Sequence, residues 1–462
     1  ITKKIICERD SREILEDDLV EMKFVPDAKN HMIWVPLRIR DDKFPKVPQF
    51  FTIANSVWST IKYPVTTEFI RNKISLKDYK ESLEEDTTKY YVSENNSSIT
   101  EPLRKLHNYI KTKLITGIGS SFKEKINILD LSIGRGGDIN KYIHRDTNAK
   151  FILGIDISSN VSEACERYYN QRKDKPPAVF LVGDTSQNIS SADCYEDLDS
   201  EKMKKDIKHS EMMLNILYNL KRPVPKEYKN IQKKYNNLAL KKFNMISSQF
   251  TLHYYFQDNS VFEGFMQNVK DNIAPKGYFI GCCYDGKKIF NALQKGDIEF
   301  RDDTGNLVYS IKKKYELEDF EFDPDLEDND KMFGQTIDVY MESIGQEISE
   351  YLVNFDFLKK YMEDNGFKLI TNPHTLKVKS QYSFILKDNN FTNGFGDFEK
   401  IIQNLPEMKH GDRDLQDEGI YSDALNILQN TNLNKDGSVK KLGCEMLRLL
   451  SSFNNYFIFQ KV

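Results

Sequence analysis

LDLSIGRGGDINKY, residues 129–142, decides how this 462-residue chain is read. LDLSI is a short apolar run suited to a buried strand, and the turn after it carries Gly134, Gly136 and Gly137. INKY then returns to a helical pattern. Glycine has no Cβ, so a turn of this kind lets backbone N–H groups approach a ligand closely. Alone the motif is ambiguous, because nicotinamide enzymes and purely structural turns also use it.

The flanking sequence narrows the reading. Upstream, EPLRKLHNYIKTKLITGI (101–118) has apolar residues at helical spacing. Downstream, FILGIDIS (151–158) is a second apolar run closed by Asp156, VSEACERYYNQR (161–172) is helical, and AVFLVGD (178–184) is a third run closed by Asp184. The pattern resumes at FNMISSQF (243–250) and KGYFIGCCYD (276–285). Strands alternating with helices predict a doubly wound α/β sheet. An acidic residue at the end of the second strand can accept hydrogen bonds from both hydroxyls of a ribose. Asp156 is predicted to do so, and Asp184 to receive an adenine amino group. The turn lacks the dinucleotide GxGxxG spacing, which favours S-adenosylmethionine over a nicotinamide cofactor.

Composition removes other classes. The chain carries 66 basic and 70 acidic residues, net −4, with 39% hydrophobic content and a mean hydropathy of −0.59. A uniformly basic nucleic-acid-binding surface is excluded, though a local basic cleft is not. No apolar run reaches the roughly 20 residues of a membrane span, and ITKKIICERD lacks a signal-peptide core. Six cysteines show neither CxxC nor Cys/His ligand spacing, so a reducing, cytoplasmic setting without a metal site is expected. The opening Ile1 reads as the start of a piece of a longer chain.

LDLSIGRGGDINKY resembles the S-adenosylmethionine motif of the eukaryotic and viral mRNA cap (guanine-N7) methyltransferases, roughly LDLGCGKGGDL. LHNYIKTKLI (106–115), ISSQFTLHYYF (246–256), APKGYFIGC (274–282) and EISEYLVNFDFL (347–358) resemble further stretches of that family, in the same order. The resemblance implies a Rossmann-like fold, a mixed seven-stranded sheet with helices on both faces, over 101–462. It implies cofactor contacts from Lys111, Gly134, Arg135, Gly136, Asp138, Asp156, Asp184, Ser248, Gln249 and Phe250. Lys111 would neutralise the methionine carboxylate. For the cap guanine it implies Asn108, His253, Tyr254, Glu350 and Tyr351, with Glu350 accepting from the base's N1–H and amino group. Read alone, His253 could be a satisfied core histidine and Glu350–Tyr351 the start of a helix. Ser132 and Arg135 stand where the family has glycine and lysine. The family's C-terminal aromatic has no clean match in SSFNNYFIFQK, where Phe453 and Tyr456 are the candidates. Methylation of guanine N7 requires no nucleophile or general base, so catalysis by positioning is expected.

At the other end, VEMKFV and HMIWVPLRIR bracket the turn PDAKN and predict a hairpin. HMIWVPLRIRDDKFP (31–45) resembles the last motif of the cap-forming guanylyltransferases, on a domain with an oligonucleotide-binding (OB) fold. There Arg38, Arg40 and Lys43 would hold a triphosphate. No KxDG nucleotidyl-lysine motif is present. The layout resembles the multifunctional capping enzymes of large DNA viruses. It implies residues 1–66 as an OB-fold remnant, 67–100 as a linker or arm, and 101–462 as the methyltransferase. The implied partners are capped RNA, the triphosphatase and guanylyltransferase parts of the same polypeptide, and a small stimulatory subunit, in the cytoplasm or a viral factory. A Lys-rich helical insertion at 187–241 and an acidic loop at 319–330 are predicted to be solvated.

Overall fold

The computed structural model describes residues 5–9, 11–15, 18–26, 32–41, 100–171, 174–195, 198, 204–302, 305–325, 329–342, 344–371, 376–405 and 443–462. The chain divides into two units, residues 1–87 and 88–462. In the first, β1 (Val20–Pro26) and β2 (Met32–Ile39) pair antiparallel, Val20 opposite Ile39 and Pro26 opposite Met32. That is the hairpin the sequence predicts. Lys43 and the 67–99 stretch lie outside the described residues.

The second unit follows the alternation of its sequence. In chain order its strands are β3 (Ile126–Asp130), β4 (Ala149–Asp156), β5 (Ala178–Val182), β6 (Phe243–Gln249), β7 (Ile273–Tyr284), β8 (Ile298–Arg301), β9 (Leu307–Lys313), β10 (Thr336–Met341), β11 (Glu347–Tyr351), β12 (Phe367–Leu369), β13 (Phe391–Thr392), β14 (Phe395–Asp397) and β15 (Asn454–Lys461). The helices used below are α1 (Glu101–Ser120), α2 (Ile139–Tyr142), α3 (Val161–Tyr169), α4 (Lys204–Tyr218), α5 (Lys229–Tyr235) and α6 (Asn259–Asn272).

The large sheet runs β13-β14-β15-β7-β6-β3-β4-β5, with β12 also paired to β15. Strands β5, β4, β3, β6 and β7 are parallel, and β15 returns antiparallel beside β7. Every residue of β3 is buried, as a central parallel strand covered on both faces must be. The chain order doubles back at β3, where the next parallel neighbour is β6 rather than β4. Open α/β sheets bind ligands at the carboxyl ends of the strands beside such a switch point. A second sheet, β11-β10-β9-β8, is antiparallel throughout.

Three expectations need adjusting. INKY makes one short turn of helix, after which His144 caps a 3-10 turn by accepting from Asp146 N–H. EISEY is strand β11, not a helix start; its residues pair with β10, Ile337 opposite Glu350. In the acidic loop Asp319, Glu321, Asp323 and Asp325 are exposed, but Phe320 is 2% exposed and anchors the segment. The insertion forms α4 and α5, mostly exposed on α5. Tyr235 packs on Phe151 near the start of β4, and Lys242 O accepts from Asn127 near the start of β3. The later part of the insertion therefore lies by the amino ends of the strands, whereas Ser210 of α4 accepts from Val182 N–H at the carboxyl end of β5. Among the described residues, no helix is long and apolar enough to cross a membrane.

Candidate active site

The turn after β3 is tied to the end of β4. Gly134 adopts φ +49°, a left-handed conformation that favours glycine, and its N–H donates to Asp156 Oδ2 at 2.7 Å. Asp156 Oδ1 accepts from Ser158 N–H at 2.9 Å and Ser158 Oγ at 2.6 Å. A carboxylate offers about four acceptor sites, so a ribose hydroxyl would take the one left or displace the rotatable Ser158 hydroxyl. Gly136, at φ +76°, has a packing reason for being glycine: a Cβ there would stand 2.9 Å from Ala164 Cα of α3. At Gly137 a Cβ would meet nothing within 4 Å, leaving open space beside the turn. Asp184 is half-buried and accepts from Ser186 N–H at 2.8 Å through one oxygen.

Ser132, in place of a glycine, has a structural account. Its Oγ lies 3.0 Å from Tyr255 Oη, which lies 2.6 Å from Thr185 Oγ1. Thr185 Oγ1 in turn donates to Leu131 O at 2.8 Å. Three hydroxyls thus join the ends of β3 and β5 to the segment after β6. Tyr255 itself stacks on Phe265 of α6 at 3.8 Å between centroids.

Beside the turn two ammonium groups share one carboxylate. Lys111 Nζ and Lys141 Nζ each lie 2.8 Å from Asp138 Oδ1. Burial opposes ionisation of Asp138, but the two lysines outweigh it and hold its carboxyl well below the usual range. Burial lowers the pKa of Lys141. This buried cluster carries one positive charge in excess, a setting for an anion. Lys141 Nζ also donates to Asn108 Oδ1 at 3.4 Å. Arg135 turns away to Glu163 of α3, Nε to Oε2 2.7 Å, in a half-exposed pair.

At the end of β6, Phe250 has φ +59°, rare for an aromatic residue and a recurrent mark of functional sites. Its ring stacks on His107 at 5.3 Å, and Lys111 Nζ stands 5.7 Å from its centroid. Burial, with Lys111 nearby, pushes the His107 pKa down to about 3, so it is neutral. Ser248 and Gln249 point into the protein: Ser248 Oγ lies 2.8 Å from Thr251 Oγ1, and Gln249 binds Ser247 Oγ and Cys282 Sγ.

The second group faces β11. His253 and Glu350 are each 3% exposed, with His253 Nε2 3.6 Å from Glu350 Oε1. Burial lowers the His253 pKa to about 3 and raises that of Glu350 to about 8. Both are therefore uncharged near neutrality, and no ion pair joins them. Both ring nitrogens of His253 and Oε2 of Glu350 lack hydrogen-bond partners among the described residues. A buried unsatisfied polar atom costs about 1–3 kcal/mol, so this grouping has the chemistry of a ligand site rather than of a core. Tyr254 lies edge-on to His253 at 4.2 Å. Tyr351 follows Glu350 on β11 and, as successive strand residues do, faces the opposite side of the sheet. Tyr456 and Phe453 are buried, the former with its hydroxyl on Ile385 O. In the separate first unit, Arg38 and Arg40 both pair with Glu21, at 2.8 and 3.4 Å.

Sequence reasoning did not single out Lys141, His107 or Tyr255. Lys141 was within reach, since it lies three residues beyond Asp138 on one helical face. The others depend on tertiary contacts.

A mixed sheet with five adjacent parallel strands and β15 reversed beside them, a glycine turn bonded to the acid ending the next strand, and a buried cationic cluster define an S-adenosylmethionine-dependent methyltransferase. Within that class, the chain belongs to the mRNA (guanine-N(7))-methyltransferase domain family, whose model matches residues 71–383. The match stops short of β13–β15, which complete the sheet. The chain is 26% identical to a probable mRNA-capping enzyme of Acanthamoeba polyphaga mimivirus, over 93% of this chain and 34% of that protein. It is 24% identical to an mRNA cap guanine-N(7) methyltransferase of Eremothecium gossypii, over 58% of this chain and 51% of that protein. A Drosophila melanogaster enzyme of the same description is 26% identical, over 58% and 53%. The chain thus spans between about a third and a half of these relatives' lengths.

Proposed function

We propose that this chain transfers a methyl group from S-adenosylmethionine to N7 of the guanine cap of mRNA. The observation that carries the reading is the buried His253–Glu350 pair, in which both imidazole nitrogens and Glu350 Oε2 lack hydrogen-bond partners among the described residues, in a chain of this family.

S-adenosylmethionine supplies an electrophilic sulfonium methyl, and the residues present suit it. The excess positive charge of Lys111, Lys141 and Asp138 is matched to the methionine carboxylate. Asp156 is assigned the ribose and Asp184 the adenine amino group, while Gly134 and Gly137 leave the turn approachable. Phe250, Ser248 and Gln249 shape the wall at the end of β6. Glu350, once ionised, would accept from guanine N1–H and its amino group, and His253 and Tyr254 would bound the base. Guanine N7 carries a free lone pair, so the chain needs no general base. Its contribution is to hold N7 and the methyl carbon in line and to set a negative group near a base that becomes cationic.

The same reading makes 5′-capped RNA the partner and the cytoplasm the setting. It takes residues 1–66 as an OB-fold remnant of a guanylyltransferase, 67–100 as an arm and 101–462 as the methyltransferase within a longer capping polypeptide. Arg38, Arg40 and Lys43 are assigned the triphosphate contacts of that remnant. The test is methyl transfer from labelled S-adenosylmethionine to GpppA and GpppG, with the methylated atom identified by mass spectrometry. N7 product is expected. Methylation at another position, or cofactor binding without transfer, would overturn the proposal.

A further inference from the structure

Strand β7 ends at Tyr284, whose hydroxyl lies 2.8 Å from that of Tyr309 on β9. These strands belong to different sheets: β7 to the large sheet, β9 to the sheet whose edge carries Glu350. The hydroxyl pair therefore bridges the two sheets that bring His253 and Glu350 face to face. Tyr309 is fully buried, whereas Tyr284 is only half-buried and keeps part of its surface accessible. The ring of Tyr284 is inclined 27° to the imidazole of His253, at 6.3 Å between centroids. The C-terminal strand puts no ring beside it. Opposite Tyr284 in the β7–β15 register stands Asn454, whose buried Oδ1 has no partner among the described residues. The next ring along β15 on that face, Tyr456, packs on Phe391 and bonds Ile385 O.

We infer that Tyr284 is the aromatic surface on which the cap guanine stacks, and that Tyr309 fixes its ring by the hydroxyl–hydroxyl bond. The inference rests on the cap-guanine reading above. A partly accessible tyrosine near-parallel to a neutral imidazole offers a flat π-face. Beside it, Glu350 supplies acceptors at the edge where a purine presents N–H donors. Stacking on Tyr284 would orient the base plane, and Glu350 would fix its rotation within that plane. Tyr284 is thus a binding residue and Tyr309 a positioning residue acting through it.

The test is steady-state methylation of GpppA by the full chain and its variants, with S-adenosylmethionine affinity measured by calorimetry as the control. Tyr284→Leu should raise KM for GpppA roughly tenfold or more, on the scale of base–aromatic stacking, with cofactor affinity unchanged. Tyr284→Trp should retain near-normal KM, which separates loss of the stacking face from loss of packing. Tyr284→Phe and Tyr309→Phe should each raise KM about threefold, and the double variant no further, because both remove one bond. Unchanged KM in Tyr284→Leu, or an equal loss in Tyr284→Trp, would overturn the stacking role. Independent, additive effects of the two Phe substitutions would overturn the strut. Wild-type chain that methylates GpppA while Tyr284→Leu does so equally well defeats only this inference. Wild-type chain that neither methylates GpppA nor binds m7GTP defeats the parent reading and this one with it.

Discussion

Gly134 donates its backbone N–H to Asp156 Oδ2 at 2.7 Å, so the carboxylate that ends β4 also shapes the glycine turn after β3. Asp156→Ala removes the acceptor and frees a left-handed glycine from its anchor. S-adenosylmethionine affinity, measured by calorimetry, should fall at least tenfold in Asp156→Ala and stay near wild type in Glu350→Ala. Retained affinity in Asp156→Ala would remove this residue from the cofactor site.

The pair of His253 and Glu350 makes cap binding depend on pH in a defined direction. Burial raises the Glu350 pKa to about 8, so the free protein holds it protonated at neutrality. Accepting two N–H groups from guanine needs the carboxylate. Affinity for GpppA should therefore rise as pH increases towards and through about 8, and cofactor affinity should not follow. Folding stability runs the other way. A raised acidic pKa favours the folded state fully below the unfolded value of 4.5, and this contribution disappears as pH rises through about 8. Glu350→Gln should melt near the wild-type temperature at pH 4 and a few degrees above it at pH 9, while losing cap methylation. A melting gap independent of pH would show that Glu350 is not buried in the neutral form.

The methionine end can be separated from the adenosine end. Lys111 and Lys141 lie 2.8 Å from Asp138 Oδ1 and leave one positive charge in excess. Lys111→Met should weaken S-adenosylmethionine binding about tenfold to a hundredfold, as expected for a hydrogen bond to a charged group of about 1.5–3 kcal/mol. Binding of 5′-methylthioadenosine, which has no carboxylate, should not change. Equal losses for both ligands would mean that Lys111 supports the fold rather than the anion.

How much of this the sequence conveyed depends on how local each signal is. The run of strand, glycine turn, helix and strand-ending aspartate is short-range, so β3, β4, β5 and the positions of Gly134, Asp156 and Asp184 were all legible. The conversion of EISEY into a strand was not, because five residues of mixed polarity carry no period of their own. The partner strand β10, with Ile337 opposite Glu350, decides it. The resemblance implies Tyr351 alongside Glu350, and only the strand geometry shows that the two side chains leave β11 on opposite faces. The partners of the Gln249 amide, Ser247 Oγ and Cys282 Sγ, were not legible, because Cys282 reaches it only across the β6–β7 pair. Tyr284 carried no sequence signal, since its relation to His253 and Tyr309 exists only once two sheets meet.

Ser132 supplies the last prediction. A side chain where a glycine is usual should obstruct the turn, but here its hydroxyl is held 3.0 Å from Tyr255 Oη, itself 2.6 Å from Thr185 Oγ1. Tyr255→Phe deletes the shared hydroxyl and leaves the ring stacked on Phe265. Thr185 keeps its bond to Leu131 O, whereas Ser132 loses its hydrogen bond to Tyr255 Oη. The stability cost should be about 1 kcal/mol. A several-fold loss of S-adenosylmethionine affinity should accompany it, because the freed serine rotates beside the turn. Ser132→Gly alone should be close to neutral for cofactor affinity, since it removes the obstruction together with its restraint. In the double variant it should recover most of the affinity lost in Tyr255→Phe. Calorimetric titration of the wild type, both single variants and the double variant measures that coupling directly. Strictly additive effects would mean that Tyr255 acts on the site through packing alone, and that Ser132 is tolerated for a reason other than the hydroxyl chain.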